Sequence, residues 1–160
     1  MTNCKPTKQQ LAFLDWEFGA FFHFGLRAFY KGYRDWDTRD MDASVFDPKK
    51  LDCASWLRTC KTAGMTYAIM TCKHHDGFAN WPTAYGDYSV KNTPWMDGKG
   101  DVVRAFTDAC REVGMKVGLY YSPAQRDQSA FDKMDYDDYF IGQITELLTG
   151  YGRIDYLWFD

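Results

Sequence analysis

The stretches Cys60–Met70 and Cys110–Tyr120 carry one pattern: an amphipathic segment runs into a Gly-Met step and then directly into an apolar run. A chain written this way must lay down helices and strands in alternation. Before Gly64, the residues Cys53, Trp56, Leu57, Cys60 and Ala63 follow helical spacing; before Gly114, Val102, Val103, Phe106, Cys110 and Val113 do the same. Gly64 and Gly114 take the left-handed position that ends a helix, so each strand follows through a very short connection. A third unit has Tyr136, Phe140, Ile144, Leu147 and Leu148 on one helix face, Gly150 and Gly152 as its stop, and the apolar run Ile154–Phe159 as its strand. Phe18–His23 reads as a first strand with no helix before it. The predicted order is β-α-β-α-β-α-β in one domain, which makes a parallel sheet with right-handed crossovers.

The segments after the strands, residues 24–46, 75–100 and 122–134, are long and polar, whereas those after the helices are very short. That asymmetry puts the functional rim at the C-terminal ends of the strands. A doubly wound open sheet shares the alternation but usually carries a Gly-rich phosphate turn after its first strand, and His23-Phe24-Gly25-Leu26 is not one. The favoured fold class is therefore α/β: the N-terminal half of a (β/α)8 TIM-like barrel, with four parallel strands and alternating helices.

Composition removes several function classes. With 46% hydrophobic and 26% charged residues the chain is globular, and a net charge of −3 without a basic block argues against nucleic acid as a partner. The five cysteines (Cys4, Cys53, Cys60, Cys72 and Cys110) are odd in number and lack CxxC spacing, which fits buried thiols in a reducing compartment better than disulfides or a zinc knuckle. Met1–Lys5 is polar with no apolar stretch behind it, and no run reaches membrane-spanning length. The expectation is a cytoplasmic protein without a membrane partner. The 18% aromatic content serves a core first, but it also suits stacking against sugar rings.

All three histidines fall at strand ends: His23 after the first strand, His74 and His75 after the second. Tyr120, Tyr121 and Ser122 end the third, and Trp158 and Asp160 end the fourth. In a parallel barrel these tips converge on one mouth. Imidazole and phenol groups exchange hydrogen bonds with hydroxyls, and tryptophan offers an apolar plate, so the set reads as a sugar-binding inventory. Trp158 and Asp160 are two apart and point to the same side of a strand, which suits a glycosidase nucleophile beside an aromatic ring. Position alone leaves Asp160 equally open to a turn or helix-cap role. A metal site is the rival, with His23, His74, His75, Asp76 and Asp160 as donors. Adjacent His74 and His75 would alternate in direction on a strand, however, and neither a His-x-His pair nor a His-Glu-x-x-His helix is present. The expectation is no metal and no cofactor.

The segments Phe18-Gly-Ala-Phe-Phe-His23-Phe-Gly25, Lys73-His74-His75-Asp76-Gly77-Phe78, Val117-Gly-Leu-Tyr120-Tyr121-Ser122 and Leu157-Trp158-Phe159-Asp160 resemble the successive strand-end motifs of family 29 glycoside hydrolases, the α-L-fucosidases. The resemblance runs from about residue 13 to residue 160. It implies a retaining exo-glycosidase, built on a (β/α)8-like catalytic domain, that releases terminal α-L-fucose from a fucosylated oligosaccharide or glycoconjugate. By motif, Asp160 matches the nucleophile, while His23, His74, His75 and Tyr120 match groups that bind fucose hydroxyls. Tyr121 would face the other way along its strand. Trp158 would line the fucose pocket. Asp35-Trp36 matches an acidic-Trp pair that contacts the sugar, with a shorter Asp where Glu is expected.

The family's acid/base carboxylate comes from a later part of the domain. Residues 1–160 therefore read as a partial catalytic domain truncated after the fourth strand, expected to be inactive as an isolated polypeptide. Asp76 reads as an orienter of its neighbours rather than as the acid. A retaining glycosidase acting on another sugar, a metal-dependent hydrolase and a non-catalytic sugar-binding module stay open as alternatives, as does the oligomeric state.

Overall fold

A computed structural model describes residues 5–32, 41–124 and 134–160. Its centre is a four-stranded sheet of β1 (Gly19–Phe22), β2 (Tyr67–Lys73), β3 (Lys116–Tyr121) and β4 (Tyr156–Phe159), all parallel and in the order β1-β2-β3-β4. The crossovers contain the helices α2 (Cys53–Thr62), α3 (Val102–Glu112) and α4 (Tyr136–Gly150). This is the sequential β/α architecture expected of the N-terminal part of a TIM-type barrel.

The Gly-Met repeat has a concrete structural meaning. Gly64 and Gly114 sit at φ 86° and 68°, where a side chain would be strained. After α2, the N–H groups of Gly64 and Met65 donate to the carbonyls of Lys61 and Cys60; after α3, those of Gly114 and Met115 donate to Arg111 and Cys110. Both pairs are the Schellman closure, in which the glycine reverses the chain and the following methionine packs back on the last turn. At the other ends, the carboxylates of Asp52, Asp101 and Asp135 cap α2, α3 and α4 by accepting from the backbone N–H of Ser55, Arg104 and Asp137. Each such cap stabilises its helix by about 1 kcal/mol.

The two faces of the sheet differ. Ala68, Met70 and Cys72 of β2 and Val117, Leu119 and Tyr121 of β3 join Leu57, Val103, Phe106 and Cys110 in one buried core beneath the helices. The opposite face carries Phe21, Tyr120 and Trp158, whose rings meet at 5.4–5.5 Å. Phe21 and Trp158 are 38% and 40% exposed on this face.

Three details depart from the sequence expectations. First, a short helix, α1 (Lys8–Leu14), precedes β1. Thr7 and Gln10 close a reciprocal capping box at its start, and Phe13 stacks on Tyr156 at 5.0 Å while Trp16 meets Tyr67 at 5.6 Å, beside the N-terminal ends of the strands.

Second, the buried stripe of α4 is rotated. Tyr139, Gln143 and Leu147 are buried, whereas Leu148 is 43% exposed. Polar pairing drives this: Gln143 accepts from the Tyr121 hydroxyl at 2.7 Å and donates to the Tyr85 carbonyl at 2.9 Å. Beside it, the Glu146 carboxylate accepts from Trp81 Nε1 (2.8 Å), Thr83 Oγ1 (2.7 Å) and the Ala84 N–H (2.8 Å), stapling the long loop after β2 to α4.

Third, β2 carries a bulge. Thr71 pairs with Tyr120 but Lys73 pairs with Tyr121, leaving Cys72 as the extra residue. Without the slip, alternation would send Lys73 to the mouth and His74 to the helices. With it, Lys73 Nζ lies 4.4 Å from the Tyr121 ring and 5.3 Å from that of Tyr139, and His74 joins the mouth.

Candidate active site

The strands deliver their chemistry from their last paired residues or from one or two positions beyond them. β1 presents His23, and the turn after β2 presents His74 and His75. Tyr120 sits opposite Trp158 in the register of β3 and β4, and Asp160 follows Phe159, the last residue of β4. The rings are in mutual contact: His23 to His74 at 5.4 Å, His23 to Tyr120 at 5.8 Å, His74 to Tyr120 at 5.4 Å with near-parallel planes, and His74 to His75 at 4.5 Å. His23, His74, His75, Tyr120, Trp158 and Asp160 thus share one constellation. Asp35 and Trp36 lie outside the described residues.

Asp160 is the acidic centre of the group. Its Oδ2 accepts a 2.6 Å hydrogen bond from the Tyr120 hydroxyl and lies 3.4 Å from His75 Nε2. Its side chain is 50% exposed, and no described residue hydrogen-bonds to Oδ1. One carboxylate oxygen is therefore held, and the other has no hydrogen-bond donor among the described residues. The opposite nitrogen of His75, Nδ1, lies 2.6 Å from Ser122 Oγ, inside the protein. Trp158, which is on the same face as Asp160, stands beside Phe21 at the edge of the opening.

Asp76 is turned away to a structural task. Its Oδ2 accepts from Arg27 Nε at 3.0 Å and its Oδ1 from the Phe78 N–H at 3.0 Å, with both members of the ion pair buried. This fastens the turn that carries the histidine pair. Tyr121 faces the helices as expected, and burial raises its phenol pKa, so it stays a neutral donor to Gln143. Cys72, on the strand that leads to the histidine pair, is fully buried on the helix side, and burial pushes its thiol well above the usual range.

Contrary to the expectation from strand alternation, His74 and His75 offer ligand atoms to one point. β2 ends at Lys73, and the pair lies in a turn closed by the Gly77 N–H on the His74 carbonyl at 3.0 Å, so strand alternation does not govern it. One ligand atom from each of His74, His75 and Asp160 lies within 4.8 Å of the others, a donor set that could accept a borderline divalent ion. Sequence reading also passed over Arg27, Phe21 and the task of Ser122. Phe21 was legible from its place two residues before His23, whereas Arg27 and Ser122 depend on contacts that local spacing does not reveal.

The family model for α-L-fucosidases matches residues 1–160. The chain belongs to the α-L-fucosidase family. It is 40% identical over 159 residues to Alpha-L-fucosidase 1 of Arabidopsis thaliana, covering 97% of this chain and 30% of the plant protein. A crystal structure of a glycoside hydrolase 29 family member from an unknown rumen bacterium superimposes with a TM-score of 0.88 at 48% identity, over 97% of this chain and 28% of that one. The α-L-fucosidase AlfC of Lactobacillus casei, solved in complex with its α-L-fucose product, superimposes with a TM-score of 0.75 at 25% identity, over 96% of this chain and 61% of that one. The chain spans about 30% of the length of the plant relatives it matches.

Proposed function

We propose that this chain forms the nucleophile-bearing part of a retaining exo-α-L-fucosidase that hydrolyses terminal α-L-fucose from oligosaccharides or glycoconjugates. The carrying observation is the held carboxylate of Asp160, with Tyr120 at 2.6 Å and His75 at 3.4 Å on one oxygen and no described donor on the other. Family membership and the fucose bound to AlfC support the choice of sugar.

In this reading Asp160 Oδ1 attacks the anomeric carbon of fucose as the glycosidic C–O bond breaks. The leaving oxygen takes a proton from a general acid, and a fucosyl ester of Asp160 forms with inversion. Water, deprotonated by the same group, then attacks the anomeric carbon, releases the Asp160 carboxylate and restores the original configuration. His23, His74 and Tyr120 bind sugar hydroxyls, His75 stands at the sugar site against Asp160 Oδ2, Trp158 lines the pocket, and Asp35 and Trp36 contact the sugar from the first loop. A retaining pair of carboxyl groups stands about 5–5.5 Å apart. Asp76 is occupied by Arg27 and Phe78, and, as the resemblance to the family implies, we assign the acid/base role to a later part of the domain.

Hydrolysis of a panel of aryl glycosides by the intact protein, followed by NMR of the first-formed anomer, tests this reading. Turnover of the α-L-fucoside with α-L-fucose as first product is expected. Preference for another sugar, or release of the β anomer, would refute it. The grouping of His74, His75 and Asp160 supports a second reading, a metal-dependent hydrolase. Loss of activity on exhaustive chelation would favour that reading, whereas the retaining glycosidase is indifferent to the chelator.

A further inference from the structure

Ser122 follows the last residue of β3 and is fully buried, with a backbone N–H that donates to the Lys73 carbonyl at 2.9 Å. Its hydroxyl has two neighbours. The Ala124 N–H donates to Oγ at 3.2 Å, and His75 Nδ1 lies 2.6 Å away. A serine hydroxyl has one proton to give, and the backbone N–H already fills one of its acceptor positions. At the far side of the same imidazole, Nε2 faces Asp160 Oδ2, which as a carboxylate only accepts. A neutral imidazole carries its proton on one nitrogen, and the partner at the other nitrogen decides which. For a neutral imidazole, the arrangement that gives Asp160 Oδ2 a proton to accept and Nδ1 a donor is Ala124 N–H to Ser122 Oγ, Ser122 O–H to His75 Nδ1, and His75 Nε2–H to Asp160 Oδ2.

We infer that Ser122 is a positioning residue for the proposed nucleophile, holding His75 as the Nε2–H tautomer so that its proton faces Asp160. This rests on the reading of Asp160 as nucleophile. Buried behind His75, Ser122 acts on Asp160 through that imidazole. Its effect joins that of Tyr120 at the same oxygen: two donors fix Oδ2 and set the rotation of the carboxylate, which leaves Oδ1 aimed at the sugar. Removing the hydroxyl takes away the donor at Nδ1, so the imidazole is no longer fixed from behind and its Nε2–H contact with Asp160 loosens.

Three measurements on the intact protein test this. In unaltered protein with ¹⁵N-labelled histidine, the His75 shifts should report a protonated Nε2 and an acceptor Nδ1. A protonated Nδ1 with an acceptor Nε2 would overturn the inference, and this measurement needs no variant. Ser122→Ala should lower kcat by about 10- to 100-fold, the usual cost of losing an orienting partner, with KM for the fucoside little changed. Ser122→Thr, which keeps the hydroxyl, should recover most of that loss. A purely structural serine would instead lower the melting temperature while leaving kcat per folded molecule intact, and that result would overturn the inference. Asp160→Asn run alongside separates the two readings. If it keeps turnover, the nucleophile assignment fails; if it is inactive while Ser122→Ala is unimpaired, only the role of Ser122 fails.

Discussion

The Tyr120 hydroxyl donates to Asp160 Oδ2 at 2.6 Å across two neighbouring strands whose register sets Tyr120 directly beside Trp158. The bond links the inner face of the sheet to the proposed nucleophile, and it makes Tyr120 a modulator of that carboxylate as well as a proposed sugar contact. A hydrogen bond to a charged group contributes about 1.5–3 kcal/mol. Tyr120→Phe is therefore expected to lower kcat/KM for an aryl fucoside by roughly 10- to 100-fold. Steady-state kinetics check this, and an unchanged kcat/KM would show that the bond does not matter in the transition state.

Glu146 tests what holds the loop after β2. Its carboxylate accepts from Trp81, Thr83 and Ala84, and Trp81 is 1% exposed. Glu146→Ala leaves a buried indole N–H without its acceptor, at a cost of about 2–3 kcal/mol. Denaturant unfolding should report that loss, and Glu146→Gln should recover part of it, because the amide oxygen still accepts.

Asp101 gives a pH dependence with a defined sign. Burial raises its carboxyl pKa above the ordinary 3.8, against the lowering effect of its bonds to the Arg104 N–H and the Tyr151 hydroxyl. The folded state therefore holds this proton more tightly than the unfolded chain does. That contribution to stability is fully present below the unfolded value and is lost as pH rises through the folded one. Asp101→Asn keeps the cap acceptor but cannot ionise. The melting temperature of the variant relative to the parent should climb as pH rises from about 4 toward neutrality; a difference that stays flat would contradict the assignment.

The thiols offer a check on the core that does not involve the site. Burial pushes Cys53 and Cys110 up to about 12 and holds Cys72 well above the usual thiol range, while Cys60 is raised but partly exposed. The thiolate is the reacting form. Of these four, Cys60 should be alkylated first near pH 8, with Cys53, Cys72 and Cys110 reacting only on unfolding, as read by peptide mass mapping.

Much of this arrangement was legible because the determinants are local. Gly64-Met65 and Gly114-Met115 announce two identical helix stops, and the two-residue step from Trp158 to Asp160 places both on one strand face. What stayed hidden depends on longer-range contacts. Nothing near Cys72 in sequence marks the bulge that turns Lys73 toward Tyr121 and Tyr139 and delivers His74 to the mouth. The rotation of α4 follows from Gln143 and Glu146 meeting a loop some sixty residues earlier in the chain. α1 is the exception, since Thr7 and Gln10 form a readable capping box. Its apolar residues fall together at Leu11, Ala12, Phe13 and Leu14 in a single turn, too short a run to show helical periodicity.

The central claim is that Asp160 forms the covalent bond to the sugar. A 2-deoxy-2-fluoro-α-L-fucosyl substrate with a good leaving group slows the second step of a retaining mechanism and lets the fucosyl-enzyme accumulate. After such trapping in the intact protein, peptide mass spectrometry should find one added fluorofucosyl group, esterified to Asp160. A label on any other carboxylate, or stoichiometric turnover with no label at all, would contradict the account.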